Sequence, residues 1–430
     1  MMRSLIFLLL VFIVLPAQAG PKIQHWETRN GMNVYFVPAK ELPMVDIRVT
    51  FAAGSARDEG NAGIASFTNA MMAQGSDGMD TDAIAQAFEN IGANFGRGAL
   101  RDMAWFSLRT LSQPEYIVPA LDTFAKVLWH PDFPKKDMER ARKQVLLGLK
   151  AGEADPATIA SKAWYKALYG DHPYGSPVSG TPETVEKFER QQLQDFYDKY
   201  YVARNGLIAM TGNITREKAE KVAEALSSGL KAGEPALPLP KVQPLTKSQE
   251  IKIPFPSKQA HVMIGQPGIE RGNPDYYALY LGNHVLGGGG FTSRLVKEVR
   301  VKRGYAYSVY SYFLLMQEPG SLMIGLQTRG TQTEDAVKVT RETLENFMKA
   351  GPNDEEITAS KRNITGGFPI RIASNGDIVE YLGLIGFYHL PLDYLDAFTG
   401  HIEAVNKQQI IDAYAKHVDP DKMITVIVGG

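Results

Sequence analysis

The side chains most often used for metal-assisted hydrolysis are sparse and widely spaced in this chain. It has no cysteine and eight histidines, and the closest two, His389 and His401, are twelve residues apart. One helical turn therefore cannot carry two histidines, because residues that share a helix face are three or four positions apart. The spacing predicts no helical zinc site here. A site assembled from distant histidines is the remaining alternative.

Residues 63–71 have the setting of a metal-binding helix without its side chains. In a helical motif of the form H-x-x-E-H, two histidines hold zinc and the glutamate acts on its bound water. The positions with this i, i+3, i+4 spacing are Ser66, Asn69 and Ala70. Neither serine nor asparagine is a normal zinc ligand, and alanine has no ligand atom. Taken alone, the segment is typical of an ordinary helix packed on a core.

A second pair of side chains, Arg300 and Tyr307, can act on a peptide carbonyl. Arginine presents rigid N–H donors to a carbonyl or carboxylate, and a tyrosine hydroxyl can donate to a developing oxyanion. The simpler alternative, which spacing alone favours, is a solvated helix residue followed by an aromatic strand residue. Four glycines precede the pair at residues 287–290, and no Gly-Lys-Ser/Thr follows them, so they do not form a phosphate loop.

The elements that position these residues form two similar halves. Residues 231–248 contain four prolines and no apolar periodicity, which predicts a semi-rigid linker. On either side, strands and helices recur in the same order at an offset of about 218 residues, which indicates duplication. This order predicts an α+β fold of two homologous domains, each a mainly antiparallel sheet with helices packed on one face. We expect an N-terminal domain at 20–230 and a C-terminal domain at 249–430.

Composition and the N-terminus limit the compartment and the ligands. Residues 1–19 combine a basic start, a short apolar run and an Ala-Gln-Ala ending, which predicts a secretory signal cleaved after Ala19 and a periplasmic protein. An uncleaved membrane anchor is the alternative. The net charge of -1 argues against nucleic-acid binding, and we expect no membrane association after cleavage.

Several segments together resemble the pitrilysin-type inverzincins, the metallopeptidase family of the mitochondrial processing peptidase and insulin-degrading enzyme. The resemblance covers nearly the whole predicted mature chain. The C-terminal half carries its most specific segment. The matching segments are residues 54–59 with 63–65, 172–175 with 180–181, 196–201 with Asn205 and Gly212, and 287–290 followed by 293–295, 298–300 and 303–308.

The family's catalytic positions map onto this chain residue by residue. Its two metal histidines and base glutamate fall on Ser66, Ala70 and Asn69, and its third metal ligand falls on Gly148, give or take about one residue. The resemblance therefore implies a degenerate metal site and no cofactor in this chain. Its substrate-binding arginine and tyrosine fall on Arg300 and Tyr307, which are both retained.

The resemblance implies the non-metal-binding subunit of a secreted zinc metallopeptidase heterodimer. A homologous partner chain carrying H-x-x-E-H would supply zinc, and the substrate would be an unfolded peptide held with the help of Arg300 and Tyr307. By itself this chain would be inactive. Two alternatives remain: a catalytically inert structural or peptide-binding scaffold of the same fold, and a homodimer with inhibitory or chaperone-like action.

Overall fold

The computed structural model describes residues 22–430. The predicted signal segment, residues 1–19, lies outside the described residues. Between residues 22 and 430, no helix combines the length and the apolar character needed to cross a membrane.

The N-terminal half builds a six-stranded sheet and a separate two-stranded sheet of residues 75–76 and 79–80, with helices interspersed. In chain order its elements are β1 (Gln24–Glu27), β2 (Asn33–Pro38), β3 (Met44–Phe51), α1 (Ile64–Met72), β4 (Gly75–Ser76), β5 (Met79–Asp80), α2 (Thr81–Glu89), β6 (Asn94–Ala99), β7 (Ala104–Leu111), α3 (Pro114–Trp129), α4 (Lys135–Gly152), α5 (Pro156–Tyr169), α6 (Pro182–Val185), α7 (Arg190–Tyr200), β8 (Gly206–Gly212) and α8 (Arg216–Ser227).

The C-terminal half builds a five-stranded sheet. Two of its segments, His284–Gly288 and Val296–Val301, are π-helical. The remaining elements are β9 (Gln249–Ile253), β10 (Gln259–Pro267), α9 (Tyr276–Asn283), β11 (Ala306–Leu314), β12 (Ser321–Arg329), α10 (Thr333–Ala350), α11 (Asp354–Gly367), α12 (Asn375–Phe387), α13 (Tyr394–Ala404), α14 (Lys407–His417) and β13 (Ile424–Val428).

The two sheets have matching topology. The strand orders are β1-β2-β8-β3-β7-β6 and β11-β12-β10-β13-β9. When the second order is reversed, its strands β9, β13, β10, β12 and β11 correspond in turn to β2, β8, β3, β7 and β6 of the first. Each sheet also has a single parallel pair at the matching place, β2 with β8 and β9 with β13, while its other pairs are antiparallel. The α+β prediction with two sheet-containing halves is therefore confirmed.

Each sheet is covered on both faces, which the prediction of helices on one face did not include. On the C-terminal sheet, Val262 and Ile264 pack on the core of that half, while Met263 packs on a cluster containing Trp164 of α5. On the N-terminal sheet, α12 contacts β8, β3 and β2. Each half therefore lends one helix to the sheet of the other.

A buried carboxylate joins the halves beside these exchanged helices. Asp102, in the turn between β6 and β7, is 3% exposed. It accepts hydrogen bonds from the Tyr174 hydroxyl (2.6 Å), the Gln317 backbone N–H (2.7 Å) and the Tyr388 hydroxyl (2.9 Å). Two of these donors belong to the C-terminal half. We call these four residues the Asp102 latch.

The proline-rich segment 231–248 contains no helix or strand, yet it packs on the N-terminal half. Arg57 donates to the Leu237 carbonyl at 2.6 Å, and His172 Nε2 lies 2.8 Å from the Pro240 carbonyl. Leu239 is buried. The segment is therefore held along its length, and the domain boundaries proposed around it stay a prediction.

Candidate functional site

Helix α1, which carries Ser66, Asn69 and Ala70, is fixed at its N-terminus by a buried aspartate. The Asp58 carboxylate accepts from the backbone N–H groups of Gly63 (2.7 Å) and Ala65 (3.0 Å). These are among the free donors at the start of a helix, so the carboxylate caps it. Burial, the largest influence on this group, raises the pKa of Asp58 to about 7.

Gly63 must be a glycine for geometric reasons. Its φ of 92° lies in the left-handed region, which side chains with a Cβ rarely adopt. A Cβ at Gly63 would also lie 2.6 Å from the Cα of Gly180. The loop before α1 and the loop before α6 therefore approach closely, and this contact sets the position of α1.

Ser66, Ala70 and Gly148 lie close together in the fold. They line a cavity of about 380 Å³ between α1 and α4, which we call the α1–α4 cavity. Gly148 faces open space, since a Cβ built on it would meet nothing within 4 Å. Lys162 is the charged residue of the lining.

Asn69 lies apart from the α1–α4 cavity. It is 1% exposed, and its side-chain amide points toward the sheet, where Nδ2 lies 3.5 Å from the Trp105 carbonyl of β7. The base position of a metal helix is therefore filled by a buried structural amide.

The α1–α4 cavity does not fit a zinc ion. Zinc requires histidine, cysteinate or carboxylate ligands, and the polar side chains of this lining are those of Ser66, Thr158, Lys162 and Ser179. A lysine ammonium repels a cation. Across residues 22–430, no three His, Cys, Asp or Glu side chains are grouped so that they could hold a metal.

Arg300 and Tyr307 meet on an exposed surface of the C-terminal half. The Arg300 guanidinium carbon lies 5.2 Å from the centre of the Tyr307 ring and 4.9 Å from that of Phe291. Tyr307 is 81% exposed and Phe291 72%. We call Phe291, Arg300 and Tyr307 the Arg300 surface. Stacking on aromatic rings restrains the guanidinium while its N–H edge can still bind a carbonyl or carboxylate.

Two backbone irregularities create the Arg300 surface. Arg300 lies in the π-helical segment Val296–Val301, and such segments are frequent at functional sites. Tyr307 falls at a register shift in β11, where Ala306 pairs with Thr328 and Ser308 with Gln327. A bulge of this kind leaves one residue unpaired and re-aims its side chain. This explains why Tyr307 points into solvent.

Arg300 differs from the basic residues beside it in its ion pairing. Glu298 pairs with Lys302 at 2.7 Å and with Arg303 at 2.8 Å. Within residues 22–430, Arg300 has no carboxylate partner at ion-pair distance, in contrast to these two neighbours. Among the three basic residues that follow Glu298, Arg300 is therefore the one that remains available to a ligand.

The structure does not join the two sets of predicted site residues. The α1–α4 cavity is lined by residues between 63 and 179 and includes no residue of the Arg300 surface. Phe291 is a site residue that the sequence pattern did not predict, although an aromatic residue directly after four glycines was a visible signal. The roles of Asp58 and Asp102 were not predicted either, because their partners can be recognised only in the fold.

Family models match both halves of the chain. Residues 37–182 match the model described as insulinase (peptidase family M16), and residues 187–364 match that of the peptidase M16 inactive domain. A crystal structure of a peptidase M16 inactive domain from Pseudomonas fluorescens is 42% identical, with a TM-score of 0.92 over 95% of this chain and 97% of that one. The chain therefore belongs to peptidase family M16.

More distant relatives agree with this assignment. The uncharacterized zinc protease YmxG of Bacillus subtilis is 27% identical over 90% of this chain and 94% of its own length. An uncharacterized zinc protease of Mycobacterium tuberculosis is 28% identical over 89% of this chain and 87% of its own. A Helicobacter pylori protease of known structure, at 16% identity and a TM-score of 0.88 over 95% of this chain and all of that one, shares the fold.

The resemblance to a pitrilysin-type family, of the non-zinc subunit type, is thus confirmed. The inactive-domain matches and the lining of the α1–α4 cavity fit a non-catalytic family member. The description zinc protease belongs to those relatives and is not transferred to this chain.

Proposed function

We propose that this chain is the non-metal-binding subunit of a secreted zinc metallopeptidase heterodimer. The observation that carries the proposal is the contrast between its two candidate sites. The α1–α4 cavity offers no zinc ligand set, while the Arg300 surface keeps a stacked guanidinium beside a solvent-exposed phenol. A homologous partner with H-x-x-E-H would supply the zinc.

In this proposal the chain binds and orients an unfolded peptide. Arg300 donates from its free N–H edge to a main-chain carbonyl, and stacking by Phe291 and Tyr307 reduces the entropy lost on binding. The Tyr307 hydroxyl donates to the scissile oxygen as negative charge develops on it. The peptide adds as a strand to a sheet edge of the partner, so recognition depends mainly on the main chain.

The proposal places both subunits in the periplasm, after removal of residues 1–19. The mature chain would begin at Gly20, which N-terminal sequencing of protein from the envelope fraction would test. A mature protein that retains residues 1–19 would instead support an anchor.

The test of function is a matched pair of Tyr→Phe substitutions, each of which removes one hydroxyl group, in the complex with an H-x-x-E-H homologue. We expect Tyr307→Phe to lower kcat about a hundredfold, because losing one oxyanion donor typically costs roughly 2.7–4 kcal/mol. Tyr310→Phe is the control, since Tyr310 lies on the same strand, is also exposed and stacks on Tyr312.

Both variants should assemble with the partner as the wild-type chain does. Unchanged peptide turnover by the Tyr307→Phe complex would remove Tyr307 from the mechanism. A complex that binds peptide but never cleaves it would favour the second candidate, an inert peptide-binding scaffold.

A further inference from the structure

A second candidate ligand site lies where the two halves meet. A cavity of about 710 Å³, which we call the junction cavity, opens between β3 and the β6–β7 turn on one side and α9, α12 and α13 on the other. It contains none of the residues of the Arg300 surface or the α1–α4 cavity. Its volume is in the range of small-molecule sites.

Four arginines line the junction cavity. Three of them, Arg101, Arg271 and Arg371, have no carboxylate at ion-pair distance within residues 22–430, and Arg101 donates to the Tyr174 carbonyl at 3.0 Å. Arg371 donates to the Tyr280 hydroxyl at 2.8 Å. Arg271 reaches the Leu315 carbonyl at 3.5 Å, and its buried Nε has no hydrogen-bond partner within residues 22–430. Neither guanidinium has a carboxylate at ion-pair distance in the described chain. Arg371 is exposed, so the cost of an unpaired buried donor falls on Arg271 alone. The buried Nε of Arg271 therefore favours an acceptor from outside the chain.

The acidic residues of the cavity are engaged elsewhere. Asp102 is occupied by the three donors of its latch. Asp377 accepts from the backbone and hydroxyl of Ser374 at the start of α12. Glu380 is 72% exposed and lies 4.0 Å from Arg48. The lining therefore holds four arginines against three carboxylates, and none of the three carboxylates pairs with Arg271 or Arg371.

The rest of the lining is apolar and aromatic, including Leu314, Leu384, Phe398 and Tyr276. Burial, the first cause, raises the pKa of Tyr276, so this phenol is neutral and does not act as a counterion. We propose that the junction cavity binds a small amphipathic carboxylate, such as the C-terminal end of an oligopeptide. Arg271 and Arg371 would hold the carboxylate, and the apolar wall would hold a large side chain.

The test is calorimetric titration of the full chain, without a partner subunit, with N-acetyl-Leu-Leu-Phe as the free acid and as the C-terminal amide. We expect the free acid to bind at least tenfold more tightly, because charge-assisted hydrogen bonds to arginine are lost in the amide. Inorganic phosphate is the third probe, and we expect it to bind more weakly than the peptide acid because it cannot use the apolar wall.

Two variants locate the binding. Arg271→Gln and Arg371→Gln should each weaken binding of the free acid roughly 10- to 100-fold. Arg329→Gln, an exposed arginine at the end of β12, should leave it unchanged. Equal binding of acid and amide, binding of neither, or phosphate binding as tight as the peptide acid would each overturn the proposal. Because these comparisons use the unaltered chain, they hold even if a variant fails to fold.

Discussion

Replacing Asp102 by alanine should uncouple the two halves of the chain. The substitution leaves two tyrosine hydroxyls and the Gln317 N–H without the acceptor that now lies 2.6–2.9 Å away. A buried donor left unsatisfied costs about 1–3 kcal/mol. Removing the carboxylate also removes the cost of burying its charge. We therefore expect a net loss of about 3 kcal/mol in the free energy of unfolding.

Asparagine at the same position should be much milder. One amide oxygen can keep the Gln317 and Tyr388 donors, and the amide N–H₂ can donate to the Tyr174 oxygen after its hydroxyl rotates. We expect Asp102→Asn to cost about 1 kcal/mol. Asp171→Ala is the matched control, because the Asp171 side chain is fully exposed and bonds to Lys166 alone. It should have no measurable effect.

The pH dependence of this effect has a defined sign. Burial, the largest influence, raises the pKa of Asp102 above its ordinary value of 3.8. The folded state therefore holds this proton at pH values where the unfolded state has released it. The stability that Asp102 contributes relative to asparagine should be fully present below about pH 3.8 and should fall as the pH rises through the folded pKa.

Urea unfolding followed by tryptophan fluorescence and far-UV circular dichroism measures these effects. Trp105 and Trp164 report on the two sheets, since they lie on β7 and on α5, which packs against the C-terminal sheet. If Asp102→Ala unfolds at the wild-type urea midpoint, or if alanine and asparagine are equivalent, the Asp102 latch does not couple the halves.

Three further predictions concern the candidate sites. Gly148→Ala should stabilise the chain by about 0.5–1 kcal/mol, because its Cβ meets open space in the middle of α4; a lower thermal midpoint would contradict this geometry. Asp58, with a pKa of about 7 against 3.8 unfolded, should contribute stability that declines between about pH 4 and pH 7, by at most about 4 kcal/mol. Urea titrations of Asp58→Asn and wild type across that range would show a constant difference if this is wrong. Phe291→Ala should raise the KM of the mixed complex about fivefold with kcat nearly unchanged, since Arg300 loses one stacking ring worth about 1 kcal/mol. A change in kcat alone would assign Phe291 another role.

Local sequence signals predicted most elements because they are strong in this chain. The helices of each half have regular apolar faces, and the repeat offset relates α5 to α12, which begin at Pro156 and Asn375. The exchange of these helices was not predicted. Its signal was the run of β-branched residues in β13, Ile-Thr-Val-Ile-Val, where every residue from Ile424 to Val428 is buried. Such a run indicates a strand covered on both faces, but it does not say which helix covers it.

The candidate site was also predictable only in part, because sequence patterns give the positions of residues but not the contacts that the fold creates. The positions of Ser66, Ala70 and Gly148 follow from helix periodicity and resemblance, and the fold gathers them at one cavity. The inward turn of Asn69 depends on how α1 rotates against β7. Phe291 and Arg300 are nine residues apart, and their stacking depends on a π-helical segment that helix patterns do not encode. The latch partners of Asp102 are distant in sequence, so only the folded chain brings them together.

The most direct test of whether this chain lacks catalytic zinc is a paired measurement on the purified subunits and their complex. Zinc content by mass spectrometry and cleavage of an unfolded peptide would be followed in the same samples. For this chain alone we expect no bound zinc and no cleavage. For its complex with an H-x-x-E-H homologue we expect bound zinc and peptide cleavage. One tightly held zinc per chain, with peptide hydrolysis by this subunit unaided, would contradict the proposed division of roles.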